Sequence, residues 1–565
     1  MSTQDPPEGS GMLIQLKASW DEALFAEFPR RTSCSRLRSA WPVRKLVIRV
    51  YRNHAFEHVA AAAACWGAYA GLDFEWEAGG YDDSLTFAAQ TTPPAVELVW
   101  YDAWAVCARL GDDGFVTWFI SRLRELRRLS SVPILVCLIG VGAYCLSRIM
   151  EEALVITGLR IADLSSLVPA DRIYDERVAK LSGSRLSELA NMAVARRLGS
   201  SWLPSLAAPR LKAVVVDLDH TLYRGVLGED GLQVELTPGH RRLQEVLASL
   251  CGSGVLLGMV SRNEERDVRA LFASRADFPL RWDDFASRRI GWGAKSAALL
   301  GVCEDLRIAP DAVLYIDDNL GELLEVAAAL PTLYLLHAKP DAALTARALE
   351  YFPRLWSWGV SEADLVRQAD LQANSERMRL GSIPQSDPNA YYRELAPAVT
   401  LRISMPETAK RLHELSQKTN QFNLALCRLS EVDVARYLTE PDRFAVAISL
   451  RDRLSDSGMI AAMFGRCEGH VVRIDEWVIS CRALGRGLED YMATQALQAI
   501  GRGRAVRRFT FAYATGSRNQ PGLSWLAAFS GKPLKAETGF AQISVQDLPA
   551  TELPVSLTVE YHDHH

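Results

Sequence analysis

The chain lacks a dominant charge of one sign: among its 565 residues, 63 basic ones stand against 68 acidic ones, a net charge of −5. No global field draws it to nucleic acid or to an anionic membrane, and we expect neither as a partner. Long apolar runs are missing too. The uncharged stretch Val132 to Ser147 contains Pro133, Gly140 and Gly142 and falls short of the roughly 20 residues that span a bilayer. It reads instead as a buried strand running into a loop. The N-terminal MSTQDPPEGSG has neither the basic nor the apolar segment of a secretory signal, which predicts a cytoplasmic protein. Ten cysteines include no C-x-x-C pair, so reduced thiols are expected rather than a disulfide or zinc framework. Internal repeats and low-complexity segments are absent.

What is present is ordinary globular composition, 49% hydrophobic and 23% charged, at a length that suits about three domains. Residues 1–208 carry apolar strands at 46–51, 96–101 and 133–140 with helix-like stretches between them, the alternation of an α/β layered domain. His54 and His58, four apart, would share a helix face there; a scaffolding or lid role is expected for this block. The stretch DERVAKLSGSRLSELANMAVARRLGSSWLP, from Asp175 to Pro204, reads as one helix ended by glycine, serines and proline. Residues 209–384 are again βαβ-like, with strands AVVVDLD, VLLGMVS and AVLYIDD each ending in polar residues. The segment IPQSDPNAYY, residues 383 to 392, is the expected boundary. In residues 385–565 the strands FAVAISL, AAMFG, VVRIDEWVIS and RFTFAYA, with two helical stretches, have an antiparallel, α+β character.

Chemistry concentrates first at Asp217-Leu218-Asp219, directly after the strand LKAVVV. A strand ending in D-x-D projects both carboxylates from the carboxyl edge of a parallel sheet, where ligands bind in this architecture. Such a pair suits phosphoryl transfer: one carboxylate attacks phosphorus, the other protonates the leaving oxygen and then deprotonates water. Alone, the pair could equally cap a turn. It is followed in order by Ser261 at a second strand end, Lys295, and Asp317-Asp318 at a third. This ordered set resembles the haloacid dehalogenase (HAD) superfamily of phosphatases. The resemblance implies Asp217 as nucleophile, Asp219 as acid/base, and Thr221, Ser261, Arg262, Asn263 and Lys295 as phosphate and substrate contacts. It also implies Mg2+ held by Asp217, Asp219 through its carbonyl, and Asp317. The intervals between these motifs are too short for a large lid within the domain.

The run DLDHTLYRGVLGEDG, with QKTNQFNL (Gln417 to Leu424), SLRDRLSDSGMI (Ser449 to Ile460) and SCRALGRGLE (Ser480 to Glu489), is similar to the FkbH-like family of that superfamily. Together these cover residues from about 209 to 530. His220 and Tyr223 depart from the family's usual Asn and Trp, and Leu320 from a common Pro. The family implies transfer of a glyceryl group from 1,3-bisphosphoglycerate, with dephosphorylation, to the phosphopantetheine thiol of an acyl carrier protein for polyketide assembly. The alternative is a lidless phosphatase acting on a phosphorylated protein or metabolite. The N-terminal block looks like the SGNH-type region of longer members but lacks the G-D-S motif; after its first strand comes YRNHAF, with no serine at the nucleophile's place.

Arg482-Ala-Leu-Gly485-Arg-Gly487 matches R-x-x-G-x-G, the pyrophosphate loop of GNAT-like N-acetyltransferase folds, and sits between a strand and a helix. A phosphopantetheine arm enters such folds like a strand, which would bring its thiol to Cys481, a candidate acyl-accepting nucleophile beside Arg482. A buried structural cysteine is the plain alternative. Asn420, Gln421 and Asn423 are candidates for hydrogen bonds to glyceryl hydroxyls or pantetheine amides. Asp452 and Asp456 are orienting groups or turn residues.

Overall fold

Apolar runs too short for helices become central strands. The computed structural model describes residues 10–562 apart from 89–91, 165, 178, 180–182, 360–361, 382–386, 388 and 551. The boundary expected near 384 therefore lies outside the described residues. By its contacts the chain forms two units, Met1–Val360 and Ser361–His565.

The first unit contains two parallel sheets. β1 (Arg44–Arg52), β2 (Leu72–Tyr81), β3 (Val96–Asp102), β4 (Ile134–Ile139) and β5 (Leu159–Ala162) are ordered β2-β1-β3-β4-β5. β6 (Ala213–Val216), β7 (Leu256–Ser261), β8 (Phe285–Ile290), β9 (Val313–Asp317) and β10 (Tyr334–His337) are ordered β10-β9-β6-β7-β8. Strands β3, β4, β6, β7 and β9 are buried almost end to end, as parallel strands covered on both faces must be. One apolar core runs through both sheets, from Trp66 and Trp202 to Leu218 and Phe285. In the second sheet the strand order reverses between β6 and β9, so the crevice beyond their carboxyl ends is the topological switch point.

The first sheet reverses between β1 and β3, and there the crevice is filled by its own side chains. Asn53 and Asp102 exchange hydrogen bonds at 2.8 and 2.9 Å, and Arg185 grips the Asp102 carboxylate with two bonds of 2.9 Å. His54 precedes the helix Glu57–Tyr69 and does not share its face with His58. Its ring stacks on Trp100 at 5.0 Å and its Nδ1 lies 3.2 Å from Ser184 Oγ. Burial pushes its pKa down to about 4, so near neutrality it is an uncharged packing residue.

The single helix expected from Asp175 is broken: residues 176, 177 and 179 are helical, the chain leaves the helix over 183–187, and a second helix starts at Glu188, where the Ser187 hydroxyl accepts from Ala190 N at 3.1 Å. Nor do its glycine and serines end it. They form a buried π-turn, Leu198–Trp202, and Pro204 follows it in the continuing helix Leu203–Ala207. Gly199 makes this possible: a Cβ there would meet Ala63 O at 2.7 Å and Trp66 Cβ at 2.8 Å, so only glycine lets the helix Glu57–Tyr69 approach this closely.

The second unit is a seven-stranded, mainly antiparallel sheet. β11 (Ala398–Ile403), β12 (Arg443–Arg451), β13 (Asp456–Glu468), β14 (Val471–Ile479), β15 (Arg508–Ala514), β16 (Thr538–Ser544) and β17 (Ser556–Tyr561) are ordered β16-β15-β14-β13-β12-β11-β17. The parallel strands β14 and β15 pair only over Val471–Ile474 and Arg508–Phe511. Beyond that, Phe422–Leu424 fills the wedge between them. Leu424 N donates to Trp477 O (3.2 Å), Ile479 N to Phe422 O (3.0 Å) and Ala514 N to Leu424 O (2.8 Å). The buried carboxylate of Glu476 secures the next turn by accepting from Ala425 N (3.0 Å) and Cys427 N (2.7 Å).

Burial pushes the Glu476 carboxyl from 4.5 up to about 7 despite these donors. Because the folded pKa is the raised one, the stabilisation is fully present below about pH 4.5 and is lost as pH rises through about 7. Glu476→Gln removes that loss. We therefore expect the melting temperature of the variant, relative to wild type, to rise steadily across this window. A difference that stays flat with pH contradicts the buried, titrating carboxylate.

Candidate active site

The site lies at the switch point of the second sheet. Asp217 leaves β6 with its N–H bonded to Ile316 O of β9 at 2.9 Å, and Asp317 closes β9. The loop between Asp217 and Leu222 turns on His220, whose φ of 53° is left-handed. His and Asn tolerate that region better than most residues, so His can stand here in place of Asn. Lys295 opens the helix Lys295–Leu306 and is almost fully buried. Its Nζ donates to Asp217 Oδ1 (2.7 Å), Asp317 Oδ2 (3.2 Å) and Val260 O (3.4 Å).

Asp317 is held from two further sides, by the Tyr315 hydroxyl and by Asn319 N at 2.8 Å. Oxygens of Asp217, Asp317 and Asp318 all lie within 4.8 Å of one another. Burial pushes the Asp217 carboxyl up to about 7, opposed by Lys295 and reinforced by Asp317. Burial also disfavours the Lys295 ammonium, but the attraction of Asp217 and Asp317 outweighs it and holds the pKa above its usual value. When all are ionised, three carboxylates face one ammonium. The excess negative charge and the hard oxygen donors fit a divalent cation. Asp318, unassigned in the sequence reading, is the third carboxylate of this cluster; its signal was the tandem aspartate at a strand end.

Asp219 is arranged differently. Its carboxylate accepts from Tyr223 Oη (2.8 Å), Leu227 N (3.0 Å) and Asn263 Nδ2 (2.9 Å). Its side chain therefore stands apart from the three-carboxylate cluster. The departure Tyr223 supplies an orienting hydroxyl to the acid/base candidate. Asn263 Nδ2 also reaches Ser261 Oγ at 2.9 Å, linking the acid/base group to the expected phosphate donor. Thr221 Oγ1 is buried with no hydrogen-bond partner among the described residues. Arg262 lies at the partly exposed rim, where its guanidinium pairs with Glu322 at 2.7 Å. Leu320 begins the helix Leu320–Ala329, a first-turn position where Pro and Leu are interchangeable.

In the second unit the sequence-predicted residues are held largely by their own chain. Cys481 is half-buried in the turn after β14. Burial lowers the Arg482 pKa to about 10. Gly485 and Gly487 have φ of 75° and 70°, as the loop requires. The Gly485 N–H, however, donates to Glu489 Oε1 at 2.8 Å, so a carboxylate already takes the amide expected to meet pyrophosphate. Tyr392 Oη bonds Gly487 O at 3.1 Å. Arg486 is bound to Asp370, a buried carboxylate also held by Arg377, Ser455 and Ser457.

The amide candidates separate. Asn423 is fully buried, donating to Thr419 O (3.3 Å) and accepting from Leu426 N (2.7 Å); it anchors the wedge segment and does not face a substrate. Asn420 is held by Arg428 at 2.6 Å, and Gln421 is exposed. Asp452 pairs with Arg377, and Asp456 caps the turn at Gly458 N. Among the described residues no helix is long and apolar enough to cross a membrane.

No family model matches the chain, and no curated protein matches it. Solved structures do. An N-terminal part of a Bacteroides fragilis protein, containing a phosphatase domain complexed with Mg, is 15% identical over 59% of this chain and 99% of its own, with a TM-score of 0.46. A HAD family hydrolase from Streptomyces avermitilis is 22% identical over 26% of this chain and 94% of its own, TM-score 0.20. Mutant forms of the spermidine/spermine N-acetyltransferase SpeG from Vibrio cholerae are 10% identical over 26% of this chain and 95% of their own, TM-score 0.21.

Proposed function

We propose that the Met1–Val360 unit is a Mg2+-dependent phosphatase of the HAD type with Asp217 as nucleophile. The observation that carries this reading is the meeting of Asp217, Asp317 and Asp318 around Lys295 at the switch point. Asp217 attacks phosphorus through the carboxylate oxygen that Lys295 leaves free, and the bond from phosphorus to the leaving oxygen breaks. Asp219, aimed by Tyr223, Leu227 and Asn263, protonates that oxygen and then takes a proton from the water that hydrolyses the aspartyl phosphate. Lys295 and Ser261 offer charge and a hydroxyl to the phosphoryl oxygens. Asp217 and Asp317, with the expected Asp219 carbonyl and the neighbouring Asp318 carboxylate, would hold Mg2+, which when bound neutralises charge on the transferring group.

Asp217→Asn is expected to abolish release of inorganic phosphate while the melting temperature shows a folded protein. Lys295→Met should lower kcat by about 10²–10³-fold, the usual cost of one lost charge-stabilising donor. EDTA should stop turnover and Mg2+ restore it. Phosphate release at the wild-type rate by folded Asp217→Asn contradicts the assignment.

On the FkbH-like resemblance we further propose that this dephosphorylation serves glyceryl transfer from 1,3-bisphosphoglycerate to the phosphopantetheine thiol of an acyl carrier protein. The half-buried Cys481 would attack the acyl-phosphate carbonyl, expel phosphate, and pass the thioester to the carrier thiol. The alternative, a lidless phosphatase acting on a phosphorylated protein or metabolite, is favoured by the filled wedge at Phe422–Leu424 and the occupied Gly485 amide. Intact mass of a holo carrier protein incubated with enzyme, Mg2+ and 1,3-bisphosphoglycerate separates them. Glyceryl transfer predicts added carrier mass that is lost with Cys481→Ala; an unmodified carrier beside released phosphate supports the alternative.

A further inference from the structure

Trp292 is the most exposed tryptophan among the described residues, with 72% of its surface open. Scattered exposed apolar side chains need no explanation; the position of this one does. The preceding Gly291 donates its N–H to Ser261 O at 2.9 Å, and three residues later Lys295 grips Asp217 and Asp317. The segment carrying the indole is thus tied at both ends to the phosphate site. Its ring nitrogen donates to Glu264 Oε1 at 3.0 Å, which fixes the ring by its polar edge and leaves its faces available. A side chain added at either flanking glycine, Gly291 or Gly293, would meet nothing within 4 Å, so the backbone before and after Trp292 is uncovered. The charged groups at this rim already have partners, Glu264 in the indole N–H and Arg262 in Glu322, which leaves the exposed indole as the recognition surface there.

We propose that Trp292 is a specificity-determining platform on which a flat, apolar group attached to the substrate phosphate stacks. This rests on the phosphatase reading, in its form as a lidless phosphatase and not as a glyceryl transferase, and deepens it by naming as the preferred substrate class esters with an aromatic or similarly planar group over those with a small polyol. An indole face can stack on a planar group and gains little from a hydroxylated three-carbon chain.

Non-hydrolysable phosphonates test this apart from turnover. In the presence of Mg2+, phenylphosphonate is expected to bind the wild-type protein about tenfold more tightly than 3,4-dihydroxybutylphosphonate, the scale of one aromatic stacking contact. Trp292→Ala should erase the preference by weakening phenylphosphonate alone, and Trp292→Phe should restore most of it. Equal affinities in the wild type, or a preference that survives Trp292→Ala, overturn the platform even if Asp217-dependent phosphate release is intact. A Trp292-dependent preference without phosphate release keeps the platform and rejects the phosphatase. Failure of both phosphonates to bind overturns both.

Discussion

A buried ammonium set between two buried carboxylates organises this protein's candidate chemistry. Lys295 at 2.7 Å from Asp217 and 3.2 Å from Asp317 joins the ends of two neighbouring strands to the start of a helix. None of the three would be stable so deeply buried without the others, since an unpaired buried charge costs several kcal/mol. The pairing of β6 with β9 is what brings the aspartates together across a hundred residues of sequence. The order reversal at that pairing leaves a crevice above them instead of a covering helix. Local chemistry and sheet topology therefore specify the same point.

Much of this was legible in the sequence because the signals were local. Uninterrupted apolar runs at β4, β6, β7 and β9 announced strands buried on both faces, and each functional side chain of the Met1–Val360 site stands at an element end. Strands that escaped reading were short or half-exposed: β5 and β10 with four residues each, β8, β11 and β16 with partly alternating burial, β2 and β17 mostly exposed. Each is too short, or too mixed with polar residues, for an apolar run to stand out. The helix expected from Asp175 was misplaced for a different reason. Glycine, two serines and proline in succession look like a stop, and only the contact of Gly199 with Ala63 and Trp66 shows why the helix passes through them.

The second unit teaches a limit of motif reading. R-x-x-G-x-G did find a strand-to-helix turn with left-handed glycines at 485 and 487, yet a sequence pattern carries no information about what occupies the turn. Here Glu489 takes an amide, Tyr392 covers the second glycine, and Arg486 is drawn into the buried cluster around Asp370. The wedge between β14 and β15 is likewise satisfied by Phe422–Leu424. An extended ligand entering between those strands would have to replace these main-chain bonds one for one. Asn423, apparently a polar contact residue in QKTNQFNL, turns out to hold this insert in place. Only the three-dimensional partners separate its role from that of the exposed Gln421.

The central claim is that the carboxylate of Asp217 becomes covalently phosphorylated. It is tested most directly by quenching the enzyme during turnover of an aryl phosphate with Mg2+, reducing with borohydride, and sequencing the peptides by mass spectrometry. An aspartyl phosphate is reduced to homoserine while free carboxylates are untouched. The account predicts homoserine at position 217, dependent on substrate. Homoserine at Asp219, or an unmodified Asp217 in enzyme that is releasing phosphate, would contradict it.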